Sequence, residues 1–448
     1  MPLTLSRRLD VVAPSATLAM NARAIKLREA GHKVFAFGVG EPDFPTPQHI
    51  TDAAYEAAKK GATRYTPVSG TASLKKAICA ATTAHRGWTP TPDMVVASVG
   101  AKHALFNVAM ALYEPGDEVI IPAPYWVSYP EQVRMMGATP VHVTTTQEEG
   151  FLLSPEALEA AITPRTKALI LCSPSNPTGG AYSADQLRAL AGVLAKHDVW
   201  VVVDEIYGDL VYAGFEHASL AKVAPELRDR LVVIDGVSKT FAMTGWRIGW
   251  SITPPALAKA IDTMQSQSTR NPAAVSQAAA EAALLGPRDA VVQMRDVFQK
   301  RRDLMIQGLL SIPGVRARVP EGAFYAFADF SAHLGKKAGD RILTTDEDLA
   351  LWLLDEAKVA TVGGTPFGAP GFLRLSYAVS EDDIRGGVEG IKAALARLLA
   401  RLLRTGASWD TPSPSPFATC GPRRPRSSAS ARCSPSWAWR SASPRSRR

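Results

Sequence analysis

Cysteine is scarce in this sequence: four residues in 448, none in a CxxC pair. That argues against a disulfide framework and against a zinc site built on paired thiols. The eight histidines are scattered, with no HExxH spacing, so no metal centre is expected. Apolar runs are short, and none approaches the ~18 residues of a membrane span, so no membrane partner is expected. The opening MPLTLSRRLD lacks an apolar h-region, which makes the cytoplasm the expected location. A dinucleotide fingerprint is missing too, because FGVGEPD does not complete GxGxxG.

Acidic residues run out at one end. The formal net charge is +8, but from Gly406 to Arg448 eight arginines face a single acid, Asp410, and no lysine. Nearly all of the excess belongs to this tail, so the basic balance gives no reason to expect a nucleic-acid partner for the body of the chain. The tail, 406–448, is rich in Ser, Pro and Arg without hydrophobic periodicity. Such a segment buries too little apolar surface to offset its ordering entropy, and disorder is expected there.

What remains is an ordinary globular composition, 46% hydrophobic and 21% charged. Single cores rarely grow past roughly 250–300 residues, so two domains are expected. Near-continuous apolar runs (MVVASVG, DEVIIPAP, KALILC, VWVVVDEIY, RLVVIDGVSK) alternate with amphipathic segments such as AKHALFNVAMAL and DQLRALAGVLAKHD. This pattern predicts an α/β fold with a mostly parallel sheet and helices on both faces. The expected large domain spans 48–295. A smaller α+β domain is expected from 1–47 with 296–405, which contains GAFYAFADF and FLRLSYAVS.

Ligand sites of such sheets lie at the carboxyl ends of the strands. Here those ends read SVGAK, SPSNPTG, DEIY and GVSK. Lys239, after the run LVVIDGV and Ser238, is either a surface lysine or an amine whose pKa is lowered enough for proton transfer. Gly100-Ala101-Lys102 is either a plain strand-to-helix turn or a phosphate cradle, with Ser238 and Arg247 as further phosphate ligands. Asp204 closes an apolar strand and needs a partner. Tyr207 and Asn176 are either packing and turn residues or, with Asp204, a set suited to a heteroaromatic ring with a basic nitrogen and a phenolate oxygen.

The stretch GVSKTFAMTGWRIG resembles the cofactor-attachment site of the class I (fold type I) pyridoxal-phosphate-dependent aminotransferases. SPSNPTG, DEIY, RYTPVSG, PYWVSYP and FLRLSYA occur in that family's order and approximate spacing, over about residues 5–400. PSAT, GEPDF, PYWVSYPE and AMTGWRIG are most similar to the bacterial aspartate aminotransferases of the branch that also transaminates prephenate. The resemblance implies pyridoxal 5′-phosphate held covalently by Lys239, with its phosphate on Ser238, Arg247, Gly100, Ala101 and Lys102. It further implies Asp204 on the ring nitrogen, Asn176 and Tyr207 on the ring oxygen, and Trp126 stacked on the ring. Arg374, helped by Asn176 and Gly40, would clamp the α-carboxylate of an amino acid or 2-oxo acid. Tyr65 would reach the phosphate of a neighbouring subunit, which implies a homodimer.

The chain departs from the family at SQSTRNP. Ser266 stands where some members carry an arginine for the distal carboxylate, and Arg270 lies nearer the turn. Lys102, Ser15 and Thr17 are then expected to bind that carboxylate. Alternatives to an aspartate:2-oxoglutarate aminotransferase are an aminotransferase for aromatic or neutral amino acids, and a carbon–sulfur lyase using the same cofactor. The regulators that fuse this fold to a DNA-binding domain need a longer N-terminal arm than this one.

Overall fold

The computed structural model describes residues 5–339 and 341–404; the 406–448 tail, with Trp437 and Trp439, lies outside the described residues. Seven short strands form the main sheet: β1 (Val95–Ser98), β2 (Glu118–Ala123), β3 (Thr139–Thr144), β4 (Thr166–Cys172), β5 (Trp200–Asp204), β6 (Leu231–Gly236) and β7 (Gly249–Ile252). Their order is β1-β7-β6-β5-β4-β2-β3. All neighbours pair in parallel except at β7, which is antiparallel to both β1 and β6.

The sequence pattern did not single out β7. It spans only four residues inside GWRIGWSI, too short to show a period. Its place is nonetheless central. Gly236 pairs with Gly249, so the chain leaves β6, passes Ser238, Lys239 and Arg247, and returns beside the same strand.

Side chains alternate across a strand, and here both faces are apolar. Ile120, Leu169, Val201, Val203 and Val233 enter one buried cluster. Their neighbours Val119, Ile121, Ile170, Val202, Val232 and Ile234 enter another on the opposite face. A fully buried Ile or Val stabilises by roughly 1.5–3 kcal/mol relative to exposure. With helices covering both faces of the central strands, the polar groups that reach the cavity come from the strand ends.

A second, antiparallel sheet has Tyr325–Asp329 paired with Phe372–Ser376, flanked by Val362–Gly363 and Arg316–Ala317. Its core holds Phe298, Phe324, Leu349, Leu373 and Leu375. The N-terminal segment joins this part of the chain. Phe35–Ala36 pairs in parallel with Val359–Ala360, and Ser376 N–H donates to the Phe37 carbonyl at 2.7 Å. Gly38 and Gly40 are thereby carried toward the carboxyl ends of the main sheet.

Truncating a side chain inside this sheet should leave a cavity. Ile120→Ala, at a fully buried position, is predicted to cost ~2–5 kcal/mol in denaturant unfolding. Leu310→Ala, at a side chain 52% exposed, should stay within about 0.5 kcal/mol. Equal losses at the two positions would contradict this account of the core.

Candidate active site

Strands β1, β4, β5 and β6 deliver their carboxyl ends to one cavity of about 300 Å³. Of the residues expected at the site, Ser15, Thr17, Gly40, Ala101, Lys102, Trp126, Asn176, Asp204, Tyr207, Ser238, Lys239, Arg247 and Arg374 all line it. Gly100 stands immediately behind: a Cβ there would meet the Arg247 guanidinium at 2.6 Å. Tyr65 does not line the cavity. It lies on the surface, 78% exposed, with the Arg270 guanidinium 4.2 Å over its ring.

Lys239 lies in a single helical turn, Val237–Thr240, directly after β6. Its Nζ donates to the Gly40 carbonyl at 2.6 Å. Burial pushes its pKa down to about 8; Glu41 opposes that, and Arg374 and Arg247 add to it. An amine in this range exchanges protons near neutral pH, which a surface lysine does not. Lys239 lines the cavity rather than the outer surface.

Asp204 ends β5 and is 3% exposed. Burial pushes its pKa up to about 6, against hydrogen bonds from the Tyr129 hydroxyl (2.8 Å) and the Ile206 N–H (3.1 Å). Among the described residues no cation bonds to it directly, so the carboxylate suits a positively charged N–H of a ligand.

Arg374 is held in the second sheet, opposite Phe327 on one side and Val362 on the other. Its guanidinium is buried, donating to Asn176 Oδ1 at 2.9 Å and to the Gly38 carbonyl at 2.8 Å. Burial lowers its pKa, with only the phenols of Tyr325 and Tyr207 countering. Its Nε has no hydrogen-bond partner among the described residues. A buried cation without a counter-charge costs several kcal/mol, and an incoming carboxylate removes that cost.

A second anion cradle forms where Gly100 caps the helix Ala101–Leu112 with φ 83°. The Arg247 guanidinium packs against this glycine and donates to the Thr244 carbonyl at 2.9 Å. The free N–H groups of a helix start, a guanidinium and the Ser238 hydroxyl suit a phosphate. Lys102 sits on the same helix, its Nζ 4.9 Å over the Trp126 ring. Burial first, then Arg247, pulls its pKa down. Ser15 caps the helix Ala16–Glu29, accepting from Leu18 N–H at 3.4 Å. Ser15 also lines the cavity.

Seven lining residues escaped the sequence reading: the apolar Leu18, Val127 and Ile206, together with Tyr129, Cys172, Thr244 and Tyr325. Tyr129 and Tyr325 lay inside quoted motifs, PYWVSYP and GAFYAFADF, but nothing in an aromatic-rich stretch tells a lining phenol from a core ring. Tyr325 Oη shares a 2.8 Å hydrogen bond with Tyr207 Oη. It also explains Gly40, where a Cβ would lie 2.7 Å from the same hydroxyl. Among the described residues no group of three or more His, Cys, Asp or Glu is placed to hold a metal, and no helix is long and apolar enough to cross a membrane.

A two-faced parallel sheet with a buried amine, a buried carboxylate and two anion receptors at its strand ends defines an α/β enzyme of amino- or oxo-acid chemistry. The family model "Aminotransferase class I and II" matches residues 32–391. The chain is 48% identical over 389 residues to the aspartate aminotransferase of Geobacillus stearothermophilus, covering 87% of this chain and 98% of that relative. It is 46% identical over 396 residues to the aspartate/prephenate aminotransferase of Cereibacter sphaeroides, covering 88% and 99%. Among solved structures it superposes on the Rhizobium meliloti aspartate aminotransferase with a TM-score of 0.85 at 44% identity, covering 88% and 99%. The Thermus thermophilus aspartate aminotransferase with maleate gives 0.82 at 43%, covering 88% and 100%. The chain belongs to the class I and II aminotransferases, and its fold is fold type I.

Asp204 yields a test of the site's electrostatics in the cofactor-free protein. A carboxyl raised from an ordinary ~3.9 to about 6 when folded favours folding below the unfolded pKa, and loses that contribution as pH rises through 6. Asp204→Asn removes the titration. The variant's stability relative to wild type should therefore rise between about pH 4 and 6 and then level off, by an amount on the order of 3 kcal/mol. A pH-independent difference would mean that Asp204 is not desolvated.

Proposed function

We propose that this enzyme moves the amino group of L-aspartate to 2-oxoglutarate, using pyridoxal 5′-phosphate, with prephenate as a further 2-oxo acid acceptor. The single observation that carries the reading is one cavity holding a half-buried lysine, its pKa lowered to about 8, beside two separate guanidiniums. Arg374 presents an unpartnered Nε, and Arg247 lies against a glycine-capped helix start. The names of the relatives supply the substrates: aspartate for all of those cited, with prephenate added for one.

The residues fit the cofactor. Gly100, Ala101, Ser238 and Arg247 would take its phosphate, Asp204 would keep its ring nitrogen protonated, and Asn176 and Tyr207 would face the ring oxygen. Trp126 would cover the ring. When bound, the cofactor supplies the electron sink that makes the substrate's α carbon acidic. Lys239 would be its attachment point, and the same amine, in the cavity with the substrate, would serve as the base that takes the α proton. Arg374 and Asn176 would hold the α-carboxylate in the same cavity as Lys239. Lys102, with Ser15 and Thr17, would bind the distal carboxylate.

A large domain of 48–295 and a small one of 1–47 with 296–405 belong to this reading, as does cytoplasmic location. A homodimer belongs to it too, with exposed Tyr65 reaching a second copy. Neither nucleic acid nor a membrane is required as a partner.

Purified enzyme should absorb visible light through cofactor attached at Lys239, and Lys239→Ala should not. Borohydride fixing the cofactor to another lysine would refute the attachment site. A panel of amino donors with 2-oxoglutarate tests the substrate. Lys102→Ala should weaken aspartate use by roughly 10–150-fold, the worth of one charge-assisted hydrogen bond, with alanine and phenylalanine nearly unaffected. Equal losses for all donors would place Lys102 on the phosphate or in the scaffold.

A further inference from the structure

Beneath the cavity lies a buried ionic cluster that the proposed chemistry does not use. At its centre is Arg86, the last residue of the helix Ala72–Arg86 and 7% exposed. Its Nη2 donates to Asp209 Oδ2 at 3.1 Å and to Asp235 Oδ2 at 2.9 Å, while its Nε is 3.5 Å from Glu205 Oε2. Arg288 holds the other oxygen of Asp209 at 2.6 Å.

The sequence positions of these acids give the cluster its meaning. Glu205 follows Asp204. Asp209 lies two residues after Tyr207, and its Oδ2 also accepts from Thr240 Oγ1 at 3.2 Å, the residue after Lys239. Asp235 precedes Gly236 at the start of the turn that carries Ser238 and Lys239, and accepts that glycine's N–H at 2.7 Å. The chain also packs directly on the guanidinium, since a Cβ at Gly208 would meet Arg86 Nη2 at 2.8 Å. One planar cation with several fixed donors thus ties together the turns behind Asp204, Tyr207 and Lys239.

We propose that Arg86 is a positioning residue: its three-way contact with Glu205, Asp209 and Asp235 sets the relative placement of Asp204 and Lys239. This rests on the reading of that pair as catalytic. A lysine could not replace Arg86, because a point charge cannot span three carboxylates in a fixed plane. Charge is nearly matched in the cluster, with Arg86 and Arg288 against three acids, and His217 Nε2 3.5 Å from Glu205 Oε2. His85 faces Arg288, Asp209 and Arg86, and burial lowers its pKa. Burial pushes Asp235 up to about 7, while Asp209 is held well below the carboxylate range by Arg86 and Arg288 against its burial.

The test compares Arg86→Gln, Arg86→Lys and Asp209→Asn with wild-type holoenzyme. Measured are kcat, KM for aspartate, the pH midpoint of the cofactor's visible absorption, and hydrogen exchange of peptides covering 203–210 and 235–241. The expected result is a kcat lower by about 10–100-fold, with KM within about threefold. The absorption midpoint should move, and both turns should exchange faster while 118–123 stays as in wild type. Arg86→Lys should not rescue. If Arg86→Gln does not fold, Asp209→Asn decides alone, since it keeps the side-chain shape and leaves Arg86 two acids. Wild-type kcat, absorption midpoint and exchange in Asp209→Asn, or a lower Tm with all three unchanged, overturn the proposal. A wild type inactive on aspartate overturns the substrate reading instead, and the exchange data still judge the role of Arg86.

Discussion

A parallel sheet buried on both faces has no side on which to carry charge. Val201, Val202 and Val203 alternate between two dry clusters, so β5 can first place a polar side chain in a cavity at Asp204. The same holds for β6, whose next cavity residues are Ser238 and Lys239. Every chemically useful group is thereby pushed to the carboxyl ends. There the antiparallel β7 returns the chain so that Arg247 meets Gly100.

Concentrating these groups under the edge of a dry core also sets their protonation. Desolvation acts in opposite directions on the two main residues, lowering the amine of Lys239 to about 8 and raising the carboxyl of Asp204 to about 6. Both values flank neutrality, where a proton can be taken and returned with little free-energy cost. Neither arises from a contact between the two, because burial is the leading cause for each. The pair is poised by position in the sheet.

The second sheet contributes what the first cannot, an arginine reaching over the strand ends. Arg374 is fixed by pairing on both sides of its strand, and Tyr325 from the neighbouring strand bonds to Tyr207. Gly38 and Gly40 enter from the N-terminal segment and accept hydrogen bonds from Arg374 and Lys239. Three distant parts of the chain therefore close on one lysine, and glycine at 40 is the residue that leaves room for the Tyr325 hydroxyl.

By itself the sequence determined the parallel α/β architecture, through apolar runs too continuous for a one-sided sheet, and the polar clusters that end them. It also marked Lys239, Asp204 and Asn176, because a charged or amide group at the end of such a run needs a partner, while Arg374 came through the family resemblance. Strand β7, the phenols of Tyr129 and Tyr325, and the Arg86 cluster were decided only in three dimensions. Each depends on contacts between residues far apart in the chain: Tyr129 with Asp204, Tyr325 with Gly40, Arg86 with Asp209 and Asp235. Periodicity reports which face of an element is dry. It carries no information on which two elements meet, and a tyrosine or arginine reads the same in sequence whether it fills a core, covers a surface or holds a carboxylate.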